Sequence, residues 1–347
     1  MKVEVYKIPQ SSPDDLSQLD ALIQRGEIDP HQIVAILGKT EGNGCVNDFT
    51  RGFAVQTLKS YLQDKTNFEA QRIVYVMSGG TEGVLSPHLT VFTRSAGEER
   101  RRWGLVIGIS HTRDFLPNEI GTIAMVEEVT AGVEAAIADA KLQKNNVHFV
   151  QIKCPLIAAT QLQPSQIKAT NSYQSMAYSR GASALGVAVA LEEVNQLNVS
   201  DICTNYALYS GVASTSAGVE LRNCEILVLG NSPNSSSDYV IGHSVMQHAL
   251  DREAVRQAIQ STNQPVERIV NVFAKAEADP SGFILHRRHT MLDDSDINHT
   301  RMARAVVGAI VASVVQDPMV YVSGGSEHQG PPGGGPVAAI ARTIDSR

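Results

Sequence analysis

The chain has 347 residues, of which 43% are hydrophobic and 19% are charged, a composition typical of a folded soluble protein. Its formal net charge of −7 argues against a nucleic-acid-binding protein, and its longest nearly apolar stretch, residues 305–315, is too short to cross a bilayer. The four cysteines form neither a CxxC pair nor a metal-ligand spacing, which favours a cytoplasmic protein with reduced thiols.

The first predicted elements form a strand–helix–strand–helix–strand succession. The N-terminal residues alternate charged and apolar side chains, which predicts a strand over Val3–Ile8 rather than a signal peptide. A helix is predicted over Asp15–Arg25. The apolar run IVAILGK then predicts a buried strand that ends at Lys39. A helix led by Arg51 follows, and the next strand leads into the turn Ser78-Gly79-Gly80-Thr81-Glu82.

The same succession occurs a second time, in the middle of the chain. A strand is predicted over Leu105–Ile109 and a helix over Glu127–Leu142. The run VHFVQIK predicts a buried strand that ends at Lys153. A helix led by Arg180 precedes the turn Ser216-Ala217-Gly218-Val219-Glu220.

A third copy occupies the C-terminal part. The predicted elements are a strand over Tyr239–Val245 and a helix over Arg252–Gln260, followed by the run IVNVFAK to Lys275. Arg304 leads the next helix, which precedes the turn Ser323-Gly324-Gly325-Ser326-Glu327. All three turns share the pattern Ser-x-Gly-x-Glu.

The triplication predicts an α/β fold made of three internal repeats. The polar segment Ser95–Arg102 separates the first two units, and residues 231–238 predict a loop before the third. The predicted units are therefore residues 1–96, 105–232 and 238–347. By analogy with symmetric oligomers, we expect the units to pack around a pseudo-threefold axis with a central active site.

Equivalent residues of three such units converge on the axis, so three lysines, three arginines and three serine turns are expected to surround one pocket. A serine next to a lysine suggests a nucleophile and its base, because burial beside other cations lowers the pKa of a lysine. The glycine turns offer backbone N–H groups to an oxyanion. A single lysine at a strand end is usually a surface cap, and a single Ser-Gly-Gly is usually only a turn. It is their repetition in register that favours a site.

The cofactor signals are few. Gly38-Lys39-Thr40 resembles the end of a phosphate-binding loop, but Ile33 stands where that loop needs glycine, so no organic cofactor is expected. The segment Gly330–Pro336 predicts a tight loop with exposed carbonyls, neither helix nor central strand. Carbonyls near a carboxylate suit Mg²⁺ or Ca²⁺, although a purely structural loop explains the composition equally well.

The chain resembles the cyanuric acid hydrolase and barbiturase family of cyclic amide hydrolases. The motifs that carry the resemblance span nearly the whole chain: GKTEGNGCVNDFTRG (38–52), SGGTEG (78–83), IKCPL (152–156), SRGASALGVA (179–188), STSAGVEL (214–221), AKAEADPSG (274–282) and SGGSEHQGPPGGGP (323–336). The resemblance implies three repeats around a pseudo-threefold axis. It also implies that Lys153 and Ser216 are catalytic.

The remaining residue roles also come from this resemblance. It implies substrate-binding roles for two further lysine–serine pairs, three arginines and three backbone positions: Lys39 with Ser78, Lys275 with Ser323, Arg51, Arg180 and Arg304, and the backbones of Ser78-Gly79, Ser216-Ala217 and Ser323-Gly324. It implies a structural Mg²⁺ or Ca²⁺ site formed by Glu277, Ser326, Gln329, Gly330, Pro331 and Gly334. It further implies a homotetramer.

The expected activity is ring-opening hydrolysis of cyanuric acid to carboxybiuret through an acyl-Ser216 intermediate. Opening of barbituric acid to ureidomalonate is an alternative with the same chemistry, since the two rings differ at one position. A non-catalytic protein that binds a small imide is an alternative of another class. It would keep the arginines and glycine turns without an activated serine.

Overall fold

The computed structural model describes residues 1–66, 72–97, 101–158, 169 and 171–344. The elements fall into three units, each with a four-stranded sheet and two helices. The first unit contains β1 (Lys2–Pro9), α1 (Ser17–Gln24), β2 (Ile33–Thr40), α2 (Phe49–Thr66), β3 (Val74–Gly79) and β4 (His88–Ser95). The second contains β5 (Arg102–His111), α3 (Ile123–Ala140), β6 (Val147–Pro155), α4 (Ser172–Ala190), β7 (Ala213–Gly218) and β8 (Glu225–Ser235).

The third unit has the same elements and one additional hairpin. It contains β9 (Tyr239–Met246), α5 (Arg252–Gln260), β10 (Ile269–Ala276), the hairpin strands β11 (Phe283–Ile284) and β12 (Arg287–Arg288), α6 (His299–Val315), β13 (Tyr321–Gly324) and β14 (Gly335–Arg342). A short 3₁₀ turn precedes the lysine strand in every unit, at Pro30–Gln32, Lys144–Asn146 and Val266–Arg268. None of the helices in the described residues has the length and apolar character that a membrane crossing requires.

The three sheets have one topology. Their strand orders are β1-β4-β2-β3, β5-β8-β6-β7 and β9-β14-β10-β13. In each sheet the lysine strand runs parallel to the serine strand and antiparallel to the last strand of the unit, which is itself antiparallel to the first. The parallel pair requires a crossover, which α2, α4 and α6 supply.

The fold therefore has one strand per unit more than the sequence predicts. After each Ser-x-Gly-x-Glu turn the chain reverses and inserts β4, β8 or β14 between the first strand and the lysine strand. This insertion encloses the lysine strand between two neighbours, so its backbone is hydrogen-bonded on both edges. An end of such a strand is a rigid platform for a functional side chain.

The sheets bury two different faces. Inward-facing residues from all three sheets, such as Leu37, Phe149 and Phe273, form one central apolar cluster. Outward-facing residues pack under the helices of their own unit in three separate clusters. Because side chains alternate along a strand, each lysine strand sends one set of residues to the axis and the other to the helices.

Two predicted loops contain strand residues, and these predictions are wrong in part. Residues 231–238 were expected to be a loop, but β8 continues through them to Ser235. The polar side chains are accommodated by hydrogen bonds: Asn231 bonds to both backbone groups of Ile241, and Ser235 Oγ donates to the Leu105 carbonyl. Gly335 and Pro336 begin the interior strand β14. Proline is tolerated at the start of a strand, where its missing N–H is least needed.

Candidate active site

The lysines and serines singled out by the sequence meet at one position in each sheet. The parallel register pairs Lys39 with Ser78, Lys153 with Ser216, and Lys275 with Ser323. All six side chains continue the inward-facing set of their strands, so they extend beyond the end of the central apolar cluster, towards the axis. The three lysines are 0–1% exposed and the three serines 2–7% exposed. The expected convergence of the three pairs is thus present in the structure.

Contacts between units link the three pairs into a ring. Lys153 Nζ donates to the carbonyl of Met77 at 3.3 Å, and Lys275 Nζ donates to the carbonyl of Thr215 at 2.8 Å. The ring is completed by Ser78, whose Oγ donates to the Val322 carbonyl at 3.4 Å. Each accepting carbonyl belongs to the residue just before the serine of the neighbouring unit. The second unit therefore contacts the first, the third contacts the second, and the first contacts the third.

Within the units, the three pairs are not alike. Lys39 Nζ lies 3.3 Å from Ser78 Oγ, and Lys275 Nζ lies 3.1 Å from Ser323 Oγ. In the described residues no such bond joins Lys153 to Ser216, although the two are opposite each other. Ser216 Oγ instead lies 2.9 Å from Ser323 Oγ. The Ser216 hydroxyl is therefore not held by the ammonium of its own unit.

Burial changes the protonation of the lysines. It lowers the pKa of Lys39 well below its ordinary value, and the nearby Arg304 guanidinium lowers it further. Burial and then Arg180 lower the pKa of Lys275 to about 7. Burial also lowers the pKa of Lys153, and Arg51 adds to this effect, whereas Glu220 opposes it. The lowered pKa values favour the neutral amine, the form that a general base requires, over what an exposed lysine would show.

The arginines also cross between units, in the cyclic sense opposite to that of the lysine and serine contacts. Arg304 of the third unit donates to Glu82 of the first through Nε at 2.9 Å and Nη2 at 2.6 Å. Arg180 of the second unit donates to Glu327 of the third through Nε at 2.8 Å and Nη2 at 2.6 Å. Both glutamates are the last residue of a Ser-x-Gly-x-Glu turn. Paired guanidiniums of this kind are held in a fixed orientation.

The contact surface between two units is called a seam, and the seam between the first and second units departs from this pattern. Arg51 of the first unit reaches the second, where Nη1 donates to the Ala217 carbonyl at 3.3 Å, but its buried Nε has no hydrogen-bond partner in the structure. The equivalent glutamate, Glu220, lies 2.8 Å from Lys153 Nζ instead. Burial alone would raise the pKa of Glu220, but Lys153 and Arg51 lower it to about 2.

Two glycines are required by the arginine contacts. Gly80 and Gly325 have φ of +97° and +80°, a region that favours glycine. A Cβ atom at Gly80 would lie 2.6 Å from Arg304 Nη2, and one at Gly325 would lie 2.5 Å from Arg180 Nε. The glycine turns therefore bring the backbone directly against the guanidiniums.

The ring encloses a small central cavity of about 20 Å³. It is lined by Gly44, Arg51, Ser78, Gly79, Met176, Arg180, Ser216, Ala217, Arg304, Ser323 and Gly324. Most of these residues are substrate-binding positions expected from the sequence. Gly44 and Met176 were not singled out by the sequence analysis. All three arginines, all three serines and all three residues that follow the serines thus meet at one point, with the lysine amines behind them.

Two further kinds of residue lie near this cavity without a role predicted from the sequence. The glutamates Glu82, Glu220 and Glu327 were part of the turn motif, and their triplication was a signal that they too act in the site. Tyr321, two residues before Ser323 on the same face of β13, was missed. Its buried hydroxyl has no hydrogen-bond partner in the structure and faces Ser78 and Ser216. The equivalent residues in the first and second units are Val76 and Ser214, so the three copies do not share a residue type that would mark this position.

The expected metal ligands are only partly gathered. Glu277, Ser326 and Gly330 line a cavity of about 150 Å³ beside the axis. Glu277 Oε1 lies 3.3 Å from His299 Nδ1, and Oε2 accepts the Ser326 amide at 3.3 Å. No cluster of three or more His, Cys, Asp or Glu side chains that could hold a metal occurs in the described residues. A cation there would need backbone carbonyls beside the one carboxylate.

The other expected ligands have different surroundings. The Gln329 side chain turns away from this cavity, because its Oε1 accepts the Thr215 amide at 2.7 Å and its Nε2 donates to the Gly325 carbonyl at 3.3 Å. The Pro331 carbonyl accepts the Gly334 amide at 2.9 Å, which closes the loop. The donor set thus fits a hard cation through Glu277 and the carbonyl-rich loop, and not through the Gln329 amide.

Comparison with known proteins identifies relatives over nearly the whole chain. A family model described as amidohydrolase ring-opening protein matches residues 4–342. A cyanuric acid amidohydrolase of Enterobacter cloacae is 51% identical over 376 residues, covering 99% of this chain and 100% of the relative. A cyclic amide hydrolase of Azorhizobium caulinodans is 45% identical over 365 residues, covering 99% and 100%.

Solved structures give the same result. A cyanuric acid hydrolase described as an evolutionary innovation by structural concatenation superposes with a TM-score of 0.95 at 48% identity, covering 98% of this chain and 99% of the other. A second such hydrolase, from A. caulinodans, gives a TM-score of 0.95 at 46% identity, covering 99% of both chains. The three-unit architecture is therefore that of these enzymes.

Proposed function

We propose that this chain, which belongs to the family of ring-opening amidohydrolases, hydrolyses one amide bond of cyanuric acid and so opens the ring. The observation that carries the proposal is the ring of three buried lysine–serine pairs and three arginines around one cavity. Cyanuric acid has three carbonyls related by a threefold axis. The ring supplies hydrogen-bond donors with the same symmetry.

In the proposed binding mode, each carbonyl of the substrate is bound by one unit. The side chains that would bind it are an arginine and a serine, and the N–H groups of the following turn would add backbone donors. Glu82 and Glu327 would hold the Arg304 and Arg180 guanidiniums in the orientation that the structure shows.

The proposed chemistry starts at Ser216. Its Oγ bonds to a ring carbonyl carbon while its proton moves to the neutral Lys153 amine, and the carbonyl π electrons move to the oxygen. The resulting oxyanion is stabilised by the donors of the neighbouring turns. Its collapse breaks the ring C–N bond, and the Lys153 ammonium gives its proton to the leaving nitrogen. The product of this step is an acyl-Ser216 enzyme.

The second half of the reaction reverses these roles. Water gives a proton to Lys153 and its oxygen bonds to the acyl carbon. The carbon–Oγ bond then breaks, and Ser216 recovers its proton from Lys153. One water is consumed in total, and the product is carboxybiuret. The Lys39–Ser78 and Lys275–Ser323 pairs would hold and polarise the other two carbonyls, which their direct lysine–serine hydrogen bonds support.

A substrate panel tests this proposal. Purified protein is incubated with cyanuric acid, barbituric acid and succinimide, and the products are identified by mass spectrometry. We expect a product one water heavier than cyanuric acid. Turnover of barbituric acid alone would make the chain a barbiturase. Binding of these rings without turnover of any would indicate the non-catalytic alternative.

We also propose a Mg²⁺ or Ca²⁺ ion held by Glu277 and carbonyls of the 326–334 loop. When bound, the ion would order the loop that follows Ser323. The cavity shared by Glu277, Ser326 and Gly330 supports this proposal. Elemental analysis of protein purified without chelator measures the ion directly, and a chelator is expected to lower the unfolding temperature. Protein that contains neither ion and does not respond to chelator would contradict the proposal.

A homotetramer in the cytoplasm is the proposed state of the protein. Phe49 and Phe53 lie one turn apart on α2 and are 80% and 50% exposed, which supports an assembly surface. The four cysteines are free, as expected in a reducing compartment. Light scattering over a wide concentration range tests the assembly, and a constant monomer mass would contradict it.

A further inference from the structure

Glu220 is the one glutamate of the three Ser-x-Gly-x-Glu turns that contacts a lysine of the ring in the described residues. Glu82 and Glu327 each accept two hydrogen bonds from the arginine of another unit, Arg304 and Arg180. Glu220 Oε1 lies 2.8 Å from Lys153 Nζ. The three turns have the same sequence pattern and the same position in their sheets, so the difference does not follow from the repeat itself.

The contact is possible because the Arg51 guanidinium is placed differently from those of Arg180 and Arg304. Arg51 donates through Nη2 to the Cys45 carbonyl at 2.8 Å and through Nη1 to the Ala217 carbonyl at 3.3 Å. Its Nε lies 4.0 Å from the Asp48 carboxylate and has no hydrogen-bond partner among the described residues. Backbone carbonyls thus take most of the donors that the other two arginines give to glutamate, and Glu220 remains available to Lys153.

The Lys153–Glu220 pair is enclosed. The Lys153 side chain is 2% exposed and that of Glu220 is 18% exposed. The titratable groups that face the pair are Arg51, the buried thiol of Cys154 and the buried carboxyl of Glu225, with Lys59 beside Glu225. Burial raises the pKa of Glu225, which reduces its negative charge, so Glu220 is the carboxylate that most strongly affects Lys153.

We infer that Glu220 is a positioning residue for the reaction, the third member of a Ser216–Lys153–Glu220 triad, and that it selects the second unit as the one whose serine attacks. The inference rests on the proposed function. A lysine that takes the serine proton becomes positively charged in the transition state. A fixed carboxylate 2.8 Å away stabilises that charge and orients the amine, as the buried aspartate does for histidine in serine proteases.

The contrast with the other two units follows from the same geometry. Lys39 and Lys275 donate hydrogen bonds to their own serines and to the carbonyls of Gly79 and Gly324. The glutamates of these two units, Glu82 and Glu327, accept hydrogen bonds from arginines instead. Proton transfer from Ser78 or Ser323 would place a new positive charge near an arginine without a carboxylate at the amine. The second unit is the one in which the described residues provide that carboxylate.

The test compares Glu220→Gln with two controls, Glu220→Asp and Glu82→Gln, in steady-state assays over a range of pH. In Glu220→Gln the loss of negative charge lowers the pKa of Lys153 further. The rising acid limb of the kcat profile therefore moves to lower pH, and the plateau falls by about 10²-fold because the ammonium in the transition state is less stabilised. KM should change little, since the residues that line the central cavity in the described chain do not include Glu220.

The controls separate this role from a structural one. Glu220→Asp keeps the charge, so its acid limb should remain near that of the unmodified protein. Glu82→Gln loosens Arg304, which lines the cavity, so its main effect should be on KM, with the limb unmoved. The inference would be overturned if the acid limb of the kcat profile did not move in Glu220→Gln. It would also be overturned if Glu220→Gln changed mainly KM, as Glu82→Gln is expected to do.

A measurement independent of turnover keeps the inference separate from the proposed function. In ¹⁵N-lysine-labelled protein, the Nζ resonance that Lys153→Met removes reports the protonation of Lys153. Its titration should shift to lower pH in Glu220→Gln and not in Glu82→Gln. If no substrate of the panel is turned over, the proposed function fails. An unshifted titration in Glu220→Gln would overturn the triad even if cyanuric acid is opened.

Discussion

Replacing Glu82 by glutamine should destabilise the fold much more than replacing Glu220 by glutamine, although the two residues are equivalent in the repeat. Glu82 is the partner of Arg304, which is 2% exposed and donates to it through two nitrogens. A guanidinium cannot lose its proton in a protein. Removal of one member of a buried ion pair typically costs about 3–5 kcal/mol, because the other charge remains buried without its partner.

For Glu82→Gln we expect the lower part of that range, about 3 kcal/mol. The Asn43 carbonyl still accepts Arg304 Nη2 at 3.0 Å, and the new amide oxygen can accept one further bond. For Glu220→Gln the remaining partner is a lysine whose pKa is already lowered by burial. Lys153 can become neutral, and the loss is then close to that of one hydrogen bond, about 1 kcal/mol.

Urea unfolding at pH 8, followed by circular dichroism, gives both free energies of unfolding from the transition midpoints and slopes. A conservative exposed substitution, Glu253→Gln, serves as the control for the loss of one carboxylate, since its side chain is 61% exposed. If Glu220→Gln cost as much as Glu82→Gln, Lys153 would be unable to shed its proton in the folded protein. That result would refute both the reasoning and the role of Lys153 as a base.

Three further outcomes are expected. Ser216→Ala should abolish turnover of a folded protein, and acid quenching of the unmodified enzyme with substrate should trap an acyl adduct on Ser216; an adduct on Ser323 would move the nucleophile. His148 and His243 face each other at 2.8 Å, and burial lowers both pKa values, that of His148 to about 4. Because the unfolded chain binds more protons, the free energy of unfolding should fall as pH drops from about 6.5 to 4, by up to about 3 kcal/mol for His148. Urea titrations at several pH values measure this fall, which should be smaller in His148→Gln. Glu277→Gln should lower the content of bound Mg²⁺ or Ca²⁺ in elemental analysis, and an unchanged content would remove Glu277 from the site.

The sequence predicted the positions of the catalytic candidates because two local signals coincide there. Alternation along the lysine strands fixes which face Lys39, Lys153 and Lys275 occupy, and triplication implies that equivalent faces meet. The bounds of α5, Arg252–Gln260, agree with the prediction. The predicted start of two other helices is wrong, since α4 begins at Ser172 and not at Arg180, and α6 begins at His299 and not at Arg304. The resemblance added roles that neither signal contains.

What the sequence could not predict is determined by contacts between distant segments. The partners of Glu82 and Glu327 lie 222 and 147 residues away along the chain, so no local pattern indicates them. Departures from symmetry are equally inaccessible, because Glu220 has the same motif as its equivalents and differs only in the placement of Arg51. The inserted strands β4, β8 and β14 were missed because their position is a property of the sheet and not of the turn before them.

Met1 and Thr343 are hydrogen-bonded to the same joint between units. The Ser236 amide donates to the Met1 carbonyl at 2.8 Å, and the Thr343 amide donates to the Asp238 carbonyl at 2.8 Å. Met1 and Thr343 thus both lie beside the link between the second and third units. The three units form a closed cycle in which no seam depends on where the chain is cut. A circular permutant that starts between β4 and β5 would therefore retain every seam and the whole central ring, whereas deletion of any one unit would remove a lysine, a serine and an arginine together.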